Sequence, residues 1–191
     1  MTKITAEERI RGRTVFRGRV LELHLDHVRR APGHETTREV VRHPGAVAVV
    51  PVTSAGEVVL VRQFRYAVGA ALLELPAGTL APGERPLACA RRELAEETGH
   101  TARRWRRLAR FFSAPGFCDE VLHCYLALDA RALRAPQPED DEAIEVVTLP
   151  LAAALALVAR GTIRDSKSII GLLLAAPLLR AEARPPHPLR L

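Results

Sequence analysis

Three observations predict an α/β fold for this chain of 191 residues. Ala46 to Val52 is a continuous apolar run of the kind that lies within a covered sheet. Alternating, strand-like segments stand before and after it. Between them, Pro86 to Thr98 is rich in Leu, Ala, Arg and Glu with no Pro or Gly past its first position, the composition of a helix.

Along the chain, Thr14 to Val28 places Val20, Leu21, Leu23 and Leu25 in strand-like order after Gly18. Ala31-Pro-Gly-His is a turn, and Thr37 to Val41 alternates again. Ser54-Ala-Gly-Glu makes a hairpin turn out of the apolar run into Val58 to Phe64, which pairs two central strands. In the helix, Pro86 suits the first turn and Gly99 the position past the C-terminus. Leu87, Ala90, Leu94 and Thr98 fall on one stripe that packs on a sheet. Trp105 to Phe112 and Val121 to Leu128 read as strands around the loop Ser113 to Glu120. Pro136 to Asp141 is a polar linker, Ile144 to Leu149 a short strand, and Leu151 to Arg160 a helix ended by Gly161. Ser166 to Leu174 begins a last helix. The tail ARPPHPLRL is expected to be disordered or loosely docked.

Composition narrows the function. A hydrophobic content of 48% supports one globular domain with a good core, with room for a small appendage. The most apolar late stretch, Ile169 to Leu179, is shorter than a membrane span and holds Pro177, so no membrane partner is expected. The N-terminus lacks the apolar core of a secretion signal, and a cytoplasmic location is the expectation. Cys89, Cys118 and Cys124 are odd in number and lack metal-type spacing, which suits a reducing compartment. A net charge of +6 admits nucleic acid, and Arg103 to Arg107 is a basic run. The basic residues nevertheless spread over the whole chain and nearly all are Arg, with Lys3 and Lys167 the lysines. We read this as compositional bias and expect no nucleic-acid partner; a positive surface also attracts an anionic nucleotide.

The helix carries the chemistry. Glu93 and Glu97 lie one turn apart with Glu96 beside them. Like charges at this spacing repel by a few tenths of a kcal/mol, and more where water is withheld. A divalent cation relieves that repulsion. Taken alone, the triplet is most simply a solvated face, and only the wider spacing gives it another meaning. Oxygen ligands without convergent His or Cys favour Mg²⁺, with Mn²⁺ possible, and Mg²⁺ usually takes one or two carboxylates plus waters and substrate phosphate oxygens. A phosphate-bearing substrate follows. Arg92 is placed to hold the carboxylates by charge-assisted pairs, and Glu84 to act as an outer ligand or a cap.

Gly78, Glu84, Arg92, Glu93, Leu94, Glu96, Glu97 and Gly99 follow the Nudix box, G-x5-E-x7-R-E-U-x-E-E-x-G-U, with His100 replacing the usual final aliphatic residue. The segment thus resembles the Nudix hydrolase superfamily. The resemblance implies the Nudix fold, an α/β/α sandwich with a mixed sheet and a preceding N-terminal antiparallel strand unit. Arg62-Gln-Phe-Arg-Tyr66, Glu74-Leu-Pro-Ala-Gly78, Pro115 and Ala114-Pro-Gly-Phe-Cys-Asp-Glu120 resemble the ADP-ribose pyrophosphatase branch.

Carried over position by position, the branch implies Glu93, Glu97 and the Ala77 carbonyl as metal ligands, with Glu96 a further ligand or support. The water-activating base comes from the acidic stretch after Pro138: Glu142 first, Asp140 second, Glu145 third. Arg65 holds a phosphate, Arg38 and Glu39 lie near the adenine, and Thr79, Gly116 and Glu120 complete the substrate contacts. Residues 1–43 become an N-terminal strand region that forms a homodimer by strand exchange, 44–180 the hydrolase domain, and 181–191 the tail. The activity implied is Mg²⁺-dependent hydrolysis of ADP-ribose or a close nucleoside diphosphate sugar to AMP and a sugar phosphate. Alternatives are a hydrolase of another nucleotide sugar such as GDP-mannose, a sensor that binds ADP-ribose without cutting it, and a basic RNA-associated pyrophosphatase.

Overall fold

A computed structural model describes residues 4–137 and 143–182. The chain divides into two compact units. One takes the described residues up to Gly45 together with Phe111–Val121; the other takes Ala46–Arg110 and the described residues from Leu122 onward.

The first unit is an antiparallel sheet of β1 (Glu7–Arg17), β2 (Glu22–Arg30) and β3 (His34–Arg42), in that order. The segment from Thr14 to Val28, expected to alternate as a strand after Gly18, spans the turn of a hairpin and the strand that follows it. Gly18 N–H donates to Leu21 O at 2.9 Å, so Val20 and Leu21 lie in the turn rather than in alternation. No strand was expected before Thr14, and β1 explains why: all of its residues are exposed, so burial imposes no pattern on their sequence. Asp26 is the buried charge here, paired with Arg9 at 2.8 Å. The turn 31–33 and the strand around Thr37 to Val41 stand as expected. The loop after Ser113 is tied to β3, with Val41 N–H donating to Phe117 O at 2.7 Å.

The strands that lie wholly or mostly in the second unit are β4 (Ala46–Thr53), β5 (Glu57–Arg65), β6 (Ala70–Glu74), β7 (Ala77–Thr79), β8 (His100–Thr101), β9 (Arg104–Phe112), β10 (Val121–Ala132) and β11 (Ile144–Pro150). The helices are α1 (Pro86–Thr98), α2 (Leu151–Ala159) and α3 (Ser166–Glu182). The sheet runs β11-β5-β4-β10-β8, with β6 on β5, β7 on β4 and β9 on β10. It is mixed, because β4 and β10 run parallel while β5 and β11 are antiparallel neighbours.

Alternation along β4 and β10 sorts the helices onto two faces. Val47, Val49, Tyr125 and Ala127 share one face and pack with Cys89, Ala90 and Leu94 of α1. Val50 and Cys124, of opposite parity, face Gly171 of α3. Helices on both faces make this unit the expected α/β/α sandwich. The stripe expected on α1 is the buried one, with Leu87 half-buried at its edge. Gly99 ends the helix at φ 69°, its N–H donating to Ala95 O at 3.0 Å. β6, β7 and β8 were not anticipated. They are five, three and two residues long, too short to carry a period of their own. α3 passes through Pro177, and Leu172, Ala175 and Ala176 are buried around that point. No helix among the described residues is long and apolar enough to cross a membrane.

Candidate functional site

The site is built where α1 crosses β7. Gly78 pairs with Val47, and the carboxyl group of Glu93 occupies the space a Cβ on Gly78 would take. That is the close approach for which a glycine is needed. Glu97, 2% exposed, accepts the Ala77 N–H at 3.0 Å. The residue thus fixes the strand on which the Ala77 carbonyl sits.

Arg92 organises the remaining carboxylates. Its Nε and Nη2 donate to Glu84 Oε1 and Oε2 at 3.0 and 3.1 Å, a bidentate fork. Its Nη1 lies 2.7 Å from Glu93 Oε1 and donates to Glu96 Oε2 at 2.9 Å. Nη2 also reaches the Thr79 carbonyl at 3.4 Å. One guanidinium therefore holds three acid groups in a fixed arrangement, and they in turn raise its pKa, Glu84 most of all. Cys89 lies fully buried beneath this cluster, its thiol pushed up to about 12 chiefly by burial, then by Glu93, which marks it as an inert packing residue.

The Arg92 hydrogen bond holds the Glu84 carboxyl down at about 2, against an ordinary 4.5. A depressed folded value means that the pair adds stability above pH 4.5 and loses it as pH falls from 4.5 toward about 2. The gap in melting temperature between the wild type and Glu84→Gln is therefore expected to shrink across that window. An unchanged gap at pH 6 and pH 2.5 would contradict the pairing.

A second cluster adjoins β6. Glu74, only 1% exposed, accepts Arg65 Nη2 at 2.7 Å and Lys167 Nζ at 2.7 Å. Burial pushes its carboxyl up, yet Arg65 and Lys167 together outweigh that and leave it below the ordinary range. Arg65, expected to hold a phosphate, is thus oriented by a buried carboxylate. Gln63, two residues earlier on β5, is buried with its Nε2 unpartnered.

The structure brings Thr79, Glu93 and Glu96 together around Arg92, and Ala77 onto Glu97 one helical turn further along α1. Arg38, Glu39, Gly116 and Glu120 belong to the other unit. There Arg38 forms a bidentate pair with Glu7 at 2.6 and 3.0 Å, and Glu39 is an exposed residue of β3 in register with Leu25. Gly116 is exposed in the loop, and Glu120 Oε1 lies 3.5 Å from His43 Nδ1. Glu145 is on β11, 3.3 Å from Arg62. Glu142 and Asp140, like the tail 183–191, lie outside the described residues. Sequence reading passed over Lys167, Asp165, Ser168 and Gln63. The available signals were an Asp directly before a helix, which is a cap pattern, and a lysine in a chain whose cations are almost all arginines.

Residues 42–169 match the family model described as NUDIX domain. The chain is 39% identical over 167 residues to the ADP-ribose pyrophosphatase of Bacillus subtilis (strain 168), covering 87% of this chain and 90% of that one. It is also 39% identical over 171 residues to the methanol dehydrogenase activator of Bacillus methanolicus, covering 89% and 92% respectively. A solved structure titled as an ADP compounds hydrolase superposes with a TM-score of 0.83 at 21% identity, over 97% of this chain and all of that one, a likeness of fold.

Proposed function

The chain belongs to the NUDIX domain family, and we propose that it hydrolyses the pyrophosphate of ADP-ribose, or of a close nucleoside diphosphate sugar, to AMP and a sugar phosphate with Mg²⁺ as cofactor. The observation that carries this reading is the convergence of Glu93 and Glu97 on the Ala77–Gly78 strand, where the missing side chain of Gly78 makes room for the Glu93 carboxylate.

The donor set fits the cation. Among the described residues, no three His, Cys, Asp or Glu side chains gather into a cage. Mg²⁺ asks for none, since waters and substrate phosphate fill most of its octahedron. When bound, it polarises the diphosphate and makes a bound water more acidic. Glu93, Glu97 and the Ala77 carbonyl are the groups that hold it, and Mn²⁺ suits the same oxygens. Arg92 keeps Glu93 and Glu96 from swinging apart. Arg65, oriented by Glu74, offers positive charge to the diphosphate, and Thr79 ends β7, the strand of Ala77.

We assign removal of the water's proton to Glu142, with Asp140 next. In the N-terminal unit, Arg38, Glu39, Gly116 and Glu120 are the proposed substrate contacts. The same reading takes the protein as a cytoplasmic homodimer with residues 1–43 exchanged between chains. It is supported by β1, whose Ile10, Val15 and Phe16 are all exposed.

The test is ADP-ribose turnover in heavy-oxygen water with mass-spectrometric product analysis, beside a GDP-mannose arm. The expected products are AMP and ribose phosphate, one of them carrying the heavy oxygen. A kcat/KM for ADP-ribose more than about tenfold above that for GDP-mannose, about 1.4 kcal/mol of transition-state preference, is expected. Tight ADP-ribose binding in Mg²⁺ without AMP would identify a sensor instead.

A further inference from the structure

The four residues that lead into Gly78 are each anchored. Glu74 is held through its side chain by Arg65 and Lys167, each at 2.7 Å. Leu75 N–H donates to Ser168 Oγ at 2.7 Å, the Pro76 carbonyl accepts Val49 N–H at 2.9 Å, and Ala77 N–H donates to Glu97 at 3.0 Å. Two of these anchors come from the first turn of α3. That turn is itself locked, because Asp165 Oδ2 accepts both the Ser168 N–H at 3.0 Å and the Ser168 hydroxyl at 2.5 Å. Asp165 Oδ1 lies 3.0 Å from Lys167 Nζ.

The chemistry of Ser168 makes this directional. Its hydroxyl has a single proton, which goes to Asp165, so the oxygen is left to face Leu75 as an acceptor. The side chain is fully buried, and the α3 backbone comes close because Gly171 sits against Leu75 with no side chain of its own. Stability alone gives little reason for such a network, since apolar residues of similar volume usually serve as well as a buried ion pair. What it does provide is a fixed path for the backbone at Leu75, two residues before Ala77.

We propose that Asp165, Lys167 and Ser168 are positioning residues, which through Glu74 and Leu75 set the direction of the Ala77 carbonyl and with it the cation affinity of the site. This rests on the reading given under Proposed function. The contacts of the three run to one another, Glu74 and Leu75, and none is among the groups assigned to the cation or the substrate. They act on the reaction as outer partners of a ligand, whose loss typically costs 10–100-fold in metal affinity or activity.

The experiment is Mn²⁺ titration of the free full-length protein by electron paramagnetic resonance, alongside kcat and KM for ADP-ribose at saturating Mg²⁺. All measurements are made well below each variant's melting temperature. Ser168→Ala is expected to raise the Mn²⁺ dissociation constant and lower kcat by about 10–100-fold, while KM for ADP-ribose changes little. Lys167→Met, which keeps the Leu75–Ser168 bond, is expected to move both in the same direction by about tenfold, and it decides the matter if Ser168→Ala does not fold. Variants that melt earlier yet bind Mn²⁺ and turn over like the wild type would overturn the positioning role while leaving the assigned activity intact. A wild type that neither binds Mn²⁺ nor forms AMP would instead sink the assigned activity, and this inference with it.

Discussion

Glu93→Gln is expected to lower kcat for ADP-ribose by about 10³-fold, some 4 kcal/mol of lost transition-state stabilisation, and to abolish Mn²⁺ binding by the free protein. The amide keeps the volume of the acid in the space above Gly78, so neither the strand nor the helix has to move. What disappears is the charge. The cost to the fold is small for two opposing reasons. The Arg92–Glu93 pair is partly exposed, which limits its worth to about 1 kcal/mol or less. Against that, removing one acid from a helix face that also carries Glu97 relieves a repulsion of a few tenths of a kcal/mol. The melting temperature should therefore stay within a few degrees of wild type. Turnover within about tenfold of wild type would remove Glu93 from the machinery.

How far such a residue can be picked out without coordinates depends on whether its placement is local. The box helix was legible because propensity, apolar stripe and closing glycine all agree over residues 86–99, and the structure puts helix and buried face where they were expected. Arg92 as the tie between carboxylates was one reading that spacing left open, and it is the bonds to Glu84, Glu93 and Glu96 that give it content. Glu74 with Lys167 did not. They are 93 residues apart in sequence, and the partner of a buried acid is set by how α3 docks, which no short window encodes. β6 and β7 were illegible for a related reason: each is held by pairing with a neighbouring strand, and β7 also by Glu97, rather than by a pattern in its own residues. β1 failed in the opposite way, as an exposed strand whose sequence answers to no core.

Gly78→Ala separates site from fold most sharply, because the two are expected to respond in opposite directions. Gly78 is in ordinary strand backbone rather than a left-handed conformation, so an alanine meets no torsional obstacle there. By stiffening the unfolded chain, a compatible Gly-to-Ala change adds about 0.4–1 kcal/mol of stability. The new methyl, however, would occupy the position of the Glu93 carboxyl carbon and oxygens. Those atoms are the far end of a flexible side chain, so the backbone can stay and the carboxylate swings away, taking its bond to Arg92 with it. A displacement of about an ångström at a reacting centre costs on the order of 10²-fold. The expected variant melts at or slightly above the wild-type temperature, binds Mn²⁺ poorly and turns over ADP-ribose about 10²-fold more slowly. If it instead retained full turnover, the Glu93 carboxylate would not need the space above Gly78. If it unfolded, the close approach would be a packing requirement of β7 and not a provision for the site.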